Sequence, residues 1–194
     1  MAELKRAVFL DRDGTINEQM GYINHLDRFV ILPGVGQAVS RLNRAGLAVV
    51  VVSNQSGVAR GYFPEELVGR VNQQMIALLE SEGASLDGVY YCPHHPRAEL
   101  EAYRLDCDCR KPKPGLLIKA AVDLGLNLER SFVVGDRAGD LETAGAVGAK
   151  AILVLTGYGR GEAEFVLPGK NITPDFTARD LGEAVDWILG AGSI

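Results

Sequence analysis

The chain has 194 residues, 47% hydrophobic and 23% charged. That balance allows one domain with a real core and excludes a disordered chain. A formal net charge of −5 argues against non-specific nucleic-acid binding, so a chain this acidic must gather its cations locally to handle phosphate. No apolar run approaches the ~18 residues of a membrane-spanning helix, and Met1-Ala2-Glu3-Leu4-Lys5-Arg6 meets the first strand without room for a signal peptide, so a cytoplasmic chain is expected.

The first apolar run, Ala7–Leu10, delivers Asp11-Arg12-Asp13-Gly14-Thr15-Ile16 onto a glycine turn. Strand alternation sends side chains at i and i+2 the same way, so Asp11 and Asp13 can face one small volume. There one carboxylate can attack phosphorus while the other handles a proton, with a divalent cation screening both. The Asp-x-Asp-Gly run also occurs in calcium loops, but those need a preceding helix and a glutamate at the twelfth position. Here a strand precedes it, and the twelfth position is Tyr22.

Further apolar, β-branched runs stand at Leu47–Val52, Gly88–Tyr91, Phe132–Val134 and Ala151–Leu155. Helical patterns separate them at Val35–Ala45, Pro64–Glu82, Pro114–Leu124 and Leu141–Val147, with a last helix near Asp180–Leu189. Pro64 and Pro114 suit first helical turns, and Gly46, Gly83, Gly125 and Gly148 suit helix stops. The Gly-rich, charged stretch Tyr158–Phe176 reads as loop. Continuous apolar strands alternating with helices predict an α/β fold with an open, doubly wound parallel sheet. One domain over residues 1–194 is expected, and the segments between motifs are too short for a large cap domain.

In such folds ligands gather beyond the carboxyl ends of the strands, at the point where strand order reverses. The second strand ends in Ser53-Asn54-Gln55-Ser56-Gly57, whose hydroxyl and N–H groups suit phosphoryl oxygens, or simply a turn. Arg110 and Lys111 place cations just before a helix, one able to clamp a phosphate bidentately and the other a compact point charge. The fourth strand ends in Gly135-Asp136-Arg137-Ala138-Gly139-Asp140. Asp136 can reach a cation shared with Asp11, and Asp140 is placed to orient the group, although carboxylates at such junctions also serve as helix caps.

The chain has three cysteines, an odd number better suited to a metal than to disulfides. Cys92-Pro93-His94 is followed, after twelve intervening residues, by Cys107-Asp108-Cys109. Three thiolates and an imidazole make a closed tetrahedral zinc set, which is structural rather than catalytic. The spacing alone leaves His94 and His95 open. Such a zinc loop would stiffen the excursion before Arg110 and Lys111 and do no chemistry itself.

The Asp pair, Ser53, Lys111 and Asp136, in that order at strand ends, resemble the haloacid dehalogenase superfamily of phosphotransferases over roughly residues 7–155. The resemblance implies that Asp11 attacks phosphorus to form an aspartyl-phosphate and that Asp13 is the general acid and base. It implies Mg2+ held by Asp11, the main-chain carbonyl of Asp13 and Asp136, with Ser53 and Lys111 stabilising the transferred group and Arg110, also in the catalytic set, holding more distant substrate oxygens. Met20-Gly21-Tyr22, Ser53–Gly61, Tyr90–His95 and Cys107–Pro112 further resemble the zinc-loop branch that acts on bisphosphorylated heptoses. From that branch the zinc ligands are Cys92, His94, Cys107 and Cys109. The substrate contacts are Gln19, Met20, Gly21, Tyr22, Ser53, Asn54, Gln55, Ser56, Arg110, Lys111 and Arg137. The implied activity is removal of the 7-phosphate of a heptose bisphosphate for lipopolysaccharide core or surface glycans, by a monomer with no membrane or nucleic-acid partner. A histidinol-phosphate phosphatase shares these motifs, and a non-catalytic zinc-stabilised binding module is the alternative of another class.

Overall fold

The computed structural model describes residues 4–191; Met1–Glu3, on which the signal-peptide expectation rests, and the last three residues of the expected domain lie outside them. Six strands form one all-parallel sheet in the order β3-β2-β1-β4-β5-β6. They are β1 (Ala7–Leu10), β2 (Ala48–Asn54), β3 (Gly88–Cys92), β4 (Phe132–Gly135), β5 (Lys150–Val154) and β6 (Phe176–Ala178). The first five start and end within two residues of the apolar runs.

Those runs are continuous because the central strands are covered on both faces. On one face Val8, Leu10, Val49, Val51 and Val134 pack against α1 (Val35–Arg44), α2 (Glu65–Ser81) and α7 (Leu181–Ala191) through Leu42, Met75 and Ile188. On the other, Phe9, Val50, Val52, Val133 and Leu153 meet α3 (Gly115–Leu124) and α4 (Ala138–Ala146) through Leu117, Ala120 and Leu141. Gly125 closes α3 at φ +67°, the left-handed conformation that a Cβ disfavours.

Three local expectations need correction. Pro64 and Pro114 stand at the N-cap, one position before the first helical turn, because a fixed φ with no N–H also suits the chain's approach to a helix. Helix α4 begins at Ala138, three residues earlier than its apolar pattern. The stretch 158–176 is only partly loop: α5 (Gly159–Gly161), a π-helical segment Glu162–Val166 and α6 (Leu167–Lys170) run continuously, and a short turn over 171–175 leads to β6. Leu167 is buried in the same core as α4, so tertiary packing overrides glycine's poor helix propensity. Among the described residues no helix is long and apolar enough to cross a membrane.

The chain winds outward from β1 through β2 to β3, then returns to β4 beside β1 and winds the other way. Order therefore reverses between β1 and β4, where Leu10 and Val134 are in register. Asp11 and Asp136 each follow one of these two strands.

Candidate active site

Asp11 is the first residue beyond β1, and its N–H donates to the Val134 carbonyl at 2.9 Å, tying it to the neighbouring strand end. Its Oδ1 accepts from Lys111 Nζ at 2.6 Å. The same Nζ lies 2.5 Å from Asp140 Oδ1 and donates to the Val52 carbonyl at 2.9 Å. Burial pushes the Asp11 carboxyl up to about 6 against the pull of Lys111. For Lys111, burial opposes the charge, but Asp11 and Asp140 outweigh it and raise its pKa. Asn54 fixes the lysine's main chain, accepting from its N–H at 3.1 Å and donating to its carbonyl at 3.0 Å. Removing the cation would leave two buried carboxylates without a countercharge. Lys111→Ala is therefore expected to lose about 3–5 kcal/mol of stability as well as kcat; a urea midpoint equal to the wild type's would contradict this.

Asp136 is fully buried, packed against Gly14, whose φ of +96° and missing side chain permit the approach. Its Oδ2 accepts from the Tyr158 N–H at 2.8 Å, while its Oδ1 has no partner. Burial, then the Asp11 charge, raises the Asp136 carboxyl to about 8. Oxygens of Asp11, Asp136 and Asp140 lie within 4.8 Å of one another. Asp140 has both oxygens engaged, on Lys111 and on the Arg137 N–H, which leaves Asp11 and Asp136 as the pair that can accept a cation. An orphaned buried oxygen beside a second desolvated carboxylate fits a hard divalent ion.

Asp13 is held differently. Its carboxylate accepts from Arg12 Nη2 at 2.9 Å, Asn17 Nδ2 at 3.0 Å and Gln55 Nε2 at 2.8 Å. Arg12 is itself buried and donates to Asn72 Oδ1 at 3.1 Å. Gln19 ties the following loop to this centre, donating to the Asp13 carbonyl at 3.1 Å and accepting from the Gly21 N–H at 2.9 Å. Tyr22 packs edge-on against Tyr62, with ring centroids 4.8 Å apart.

These groups line a cleft of about 510 Å³. Asp11, Asp13, Gln19, Gly21, Tyr22, Asn54, Gln55, Ser56, Arg110, Lys111 and Arg137 all face it. Two expected contacts are placed elsewhere. Ser53 is buried, its Oγ accepting from Gln55, and Met20 packs against the core while its carbonyl accepts from Arg28. Sequence reasoning missed Arg12 and Asn72, although a buried asparagine among Val68, Val71 and Met75 on α2 was a signal. It also missed the wall formed by Tyr158, just before the 159–170 helix, and by Glu162, Val166 and Lys170, four residues apart on it.

At the end of β3 and in the excursion that follows it, the Cys92, Cys107 and Cys109 sulfurs and His94 Nδ1 converge within 4.8 Å of one another. The sulfur separations of 3.0–3.4 Å are far longer than a disulfide bond of about 2.05 Å. Three thiols and one imidazole nitrogen fit a zinc ion. His95 stands apart, its Nδ1 accepting from the Arg97 N–H. Arg110 donates to the His94 carbonyl at 3.2 Å, joining this cluster to the cleft.

A parallel sheet with carboxylates after β1 and β4 and a clamped lysine at the reversal point defines a phosphatase of the haloacid dehalogenase class, and the HAD-hydrolase-like family model matches residues 108–184. The chain is 46% identical over 193 residues to D-glycero-beta-D-manno-heptose-1,7-bisphosphate 7-phosphatase of Salmonella typhi, spanning 98% of this chain and 93% of that protein. It belongs to the family of these 7-phosphatases. The Photorhabdus laumondii member is 47% identical over 153 residues, 78% of this chain and 81% of that protein. The crystal structure of D,D-heptose 1,7-bisphosphate phosphatase from B. bronchiseptica, complexed with magnesium and phosphate, matches with a TM-score of 0.84 at 31% identity, covering 96% of this chain and 99% of that one.

Proposed function

We propose that the chain hydrolyses the 7-phosphate of D-glycero-β-D-manno-heptose 1,7-bisphosphate, supplying heptose 1-phosphate for lipopolysaccharide core or surface glycans. The observation that carries this reading is the buried Asp11–Lys111 pair opening into a polar cleft with Arg110 and Arg137 on its walls. Lys111 engages Oδ1 of Asp11, so the other carboxylate oxygen attacks the 7-phosphorus and the bond to the sugar oxygen breaks. Asp13 gives that oxygen its proton, then takes a proton from the water that cleaves the aspartyl-phosphate and releases inorganic phosphate. Asp11, Asp136 and the Asp13 carbonyl hold Mg2+, which when bound neutralises charge between carboxylates and phosphate. Lys111 steadies the transferred group. Gln19, Gly21, Tyr22, Asn54, Gln55, Ser56, Arg110 and Arg137 hold the rest of the substrate.

A primary phosphate on a flexible sugar tail reaches a buried nucleophile with less steric demand than one on a ring carbon, which favours position 7. Zinc on Cys92, His94, Cys107 and Cys109 stiffens the loop that carries Arg110. The enzyme acts as a cytoplasmic monomer, the whole chain forming one catalytic domain.

The test is product analysis by ³¹P NMR on both heptose bisphosphate anomers beside histidinol phosphate. Heptose 1-phosphate is the expected product, formed faster from the β anomer. Accumulation of heptose 7-phosphate refutes the regiochemistry, and preference for histidinol phosphate transfers the chain to that activity.

A further inference from the structure

Arg137 is an exposed cation on the cleft wall, and each carboxylate around it has a hydrogen-bond partner of its own. Asp140 accepts from Lys111 and from Arg137's own main-chain N–H. Asp136 accepts from the Tyr158 N–H. Glu162 accepts from the Ala138 N–H at 2.8 Å, and Glu142 pairs with Lys170 at 2.9 Å. Among the described residues, no carboxylate forms a salt bridge with the Arg137 guanidinium and draws it aside. Its neighbour is instead the Tyr158 ring, whose centroid lies 4.1 Å from the guanidinium carbon.

A flexible arginine gains most from a partner that restricts it without neutralising it. An aromatic face does this, because the ring quadrupole attracts the cation while the N–H donors at its edge stay free for an incoming oxyanion. Tyr158 is well fixed for the task. Its N–H is spent on Asp136, beside the floor of the cleft. It directly precedes the 159–170 helix, where Glu162 reaches back to the first residue of α4. The residue is 42% exposed and lines the cleft, so it carries little of the core.

We propose that Tyr158 is a positioning residue: its ring holds the Arg137 guanidinium over the cleft, where it receives the oxygens of the bound sugar phosphate. This rests on the reading of Arg137 as a substrate contact.

The experiment is steady-state kinetics of Tyr158→Leu, Tyr158→Phe, Arg137→Ala and the Tyr158→Leu/Arg137→Ala double variant on heptose 1,7-bisphosphate. Losing the stack should raise KM roughly three- to tenfold in Tyr158→Leu, with kcat falling less than twofold. Tyr158→Phe, which keeps the ring, should restore KM to within about twofold. The double variant should be no weaker than Arg137→Ala, because the ring acts only through the guanidinium. Multiplicative losses, a Phe variant as weak as the Leu variant, or a fall in kcat at constant KM would each overturn the proposal. The wild-type arm separates the two readings. A wild-type enzyme that prefers histidinol phosphate overturns the heptose assignment alone, and the same four-variant cycle on histidinol phosphate then decides the role of Tyr158.

Discussion

Asp11→Asn is expected to give a folded chain that has lost at least about ten-thousand-fold in turnover, the scale seen when a covalent nucleophile is removed. An amide cannot form the aspartyl-phosphate, and the substitution also removes the negative charge that Lys111 offsets. The fold should persist for a physical reason. The Asp11 carboxylate pays a desolvation penalty, visible in its raised pKa of about 6, and an isosteric Asn relieves that penalty. It also keeps an oxygen to accept from Lys111, whose charge remains paired to Asp140 at 2.5 Å. Loss of the ion pair and relief of desolvation act in opposite directions. The melting temperature should thus move by no more than about 2–4 °C, the scale of 1 kcal/mol in a domain of this size. Asp13→Asn should behave differently. Proton transfer is worth about a hundred- to ten-thousand-fold, so a measurable residue of activity should survive there. Near-native turnover of Asp11→Asn, in a preparation free of background phosphatase, would falsify the covalent route.

The parts of this site that were legible in the sequence are those where local pattern and chemistry coincide. Asp11 and Asp136 could be placed because each follows an apolar strand, and parallel strands deliver their carboxyl ends to one edge. The cysteine–histidine cluster could be placed because its donors come in two tight pairs. What escaped was fixed by contacts between distant segments. Nothing near Arg12 marks it as a buried guanidinium shared between Asp13 and Asn72 on α2. The lysine's second partner, Asp140, reads locally as a helix cap and serves as one too, accepting from the Arg137 N–H. The 159–170 helix was hidden by Gly159, Gly161 and Gly169, with Pro168 close to its end. Its formation depends on Leu167 finding the core beside α4. Strand β6 is only three residues long and lies at the sheet edge, too short for periodicity to register.

Zinc removal should separate the two cations that adjoin each other in sequence. Arg110 is tethered to the zinc loop through the His94 carbonyl at 3.2 Å. Lys111 is tethered to β2 through Asn54 and Val52, and neither of those contacts involves the cysteine cluster. Structural zinc contributes on the order of 10 kcal/mol of apparent binding free energy, comparable with the whole stability of many domains. Its loss should therefore unfold the excursion between β3 and α3 rather than weaken it slightly. Cys107→Ser is expected to lose the one zinc per protomer expected of the wild type and to expose the amides of 93–108 to rapid hydrogen exchange. KM should rise further than kcat falls, because Arg110 loses its anchor while Lys111 keeps its own. Elemental analysis, exchange mass spectrometry and steady-state kinetics read these outcomes independently. Wild-type protein purified without chelator and found free of zinc would remove the premise. A Cys107→Ser variant that loses kcat and KM in equal measure would show that the loop supports both cations, against the division that the hydrogen bonds draw.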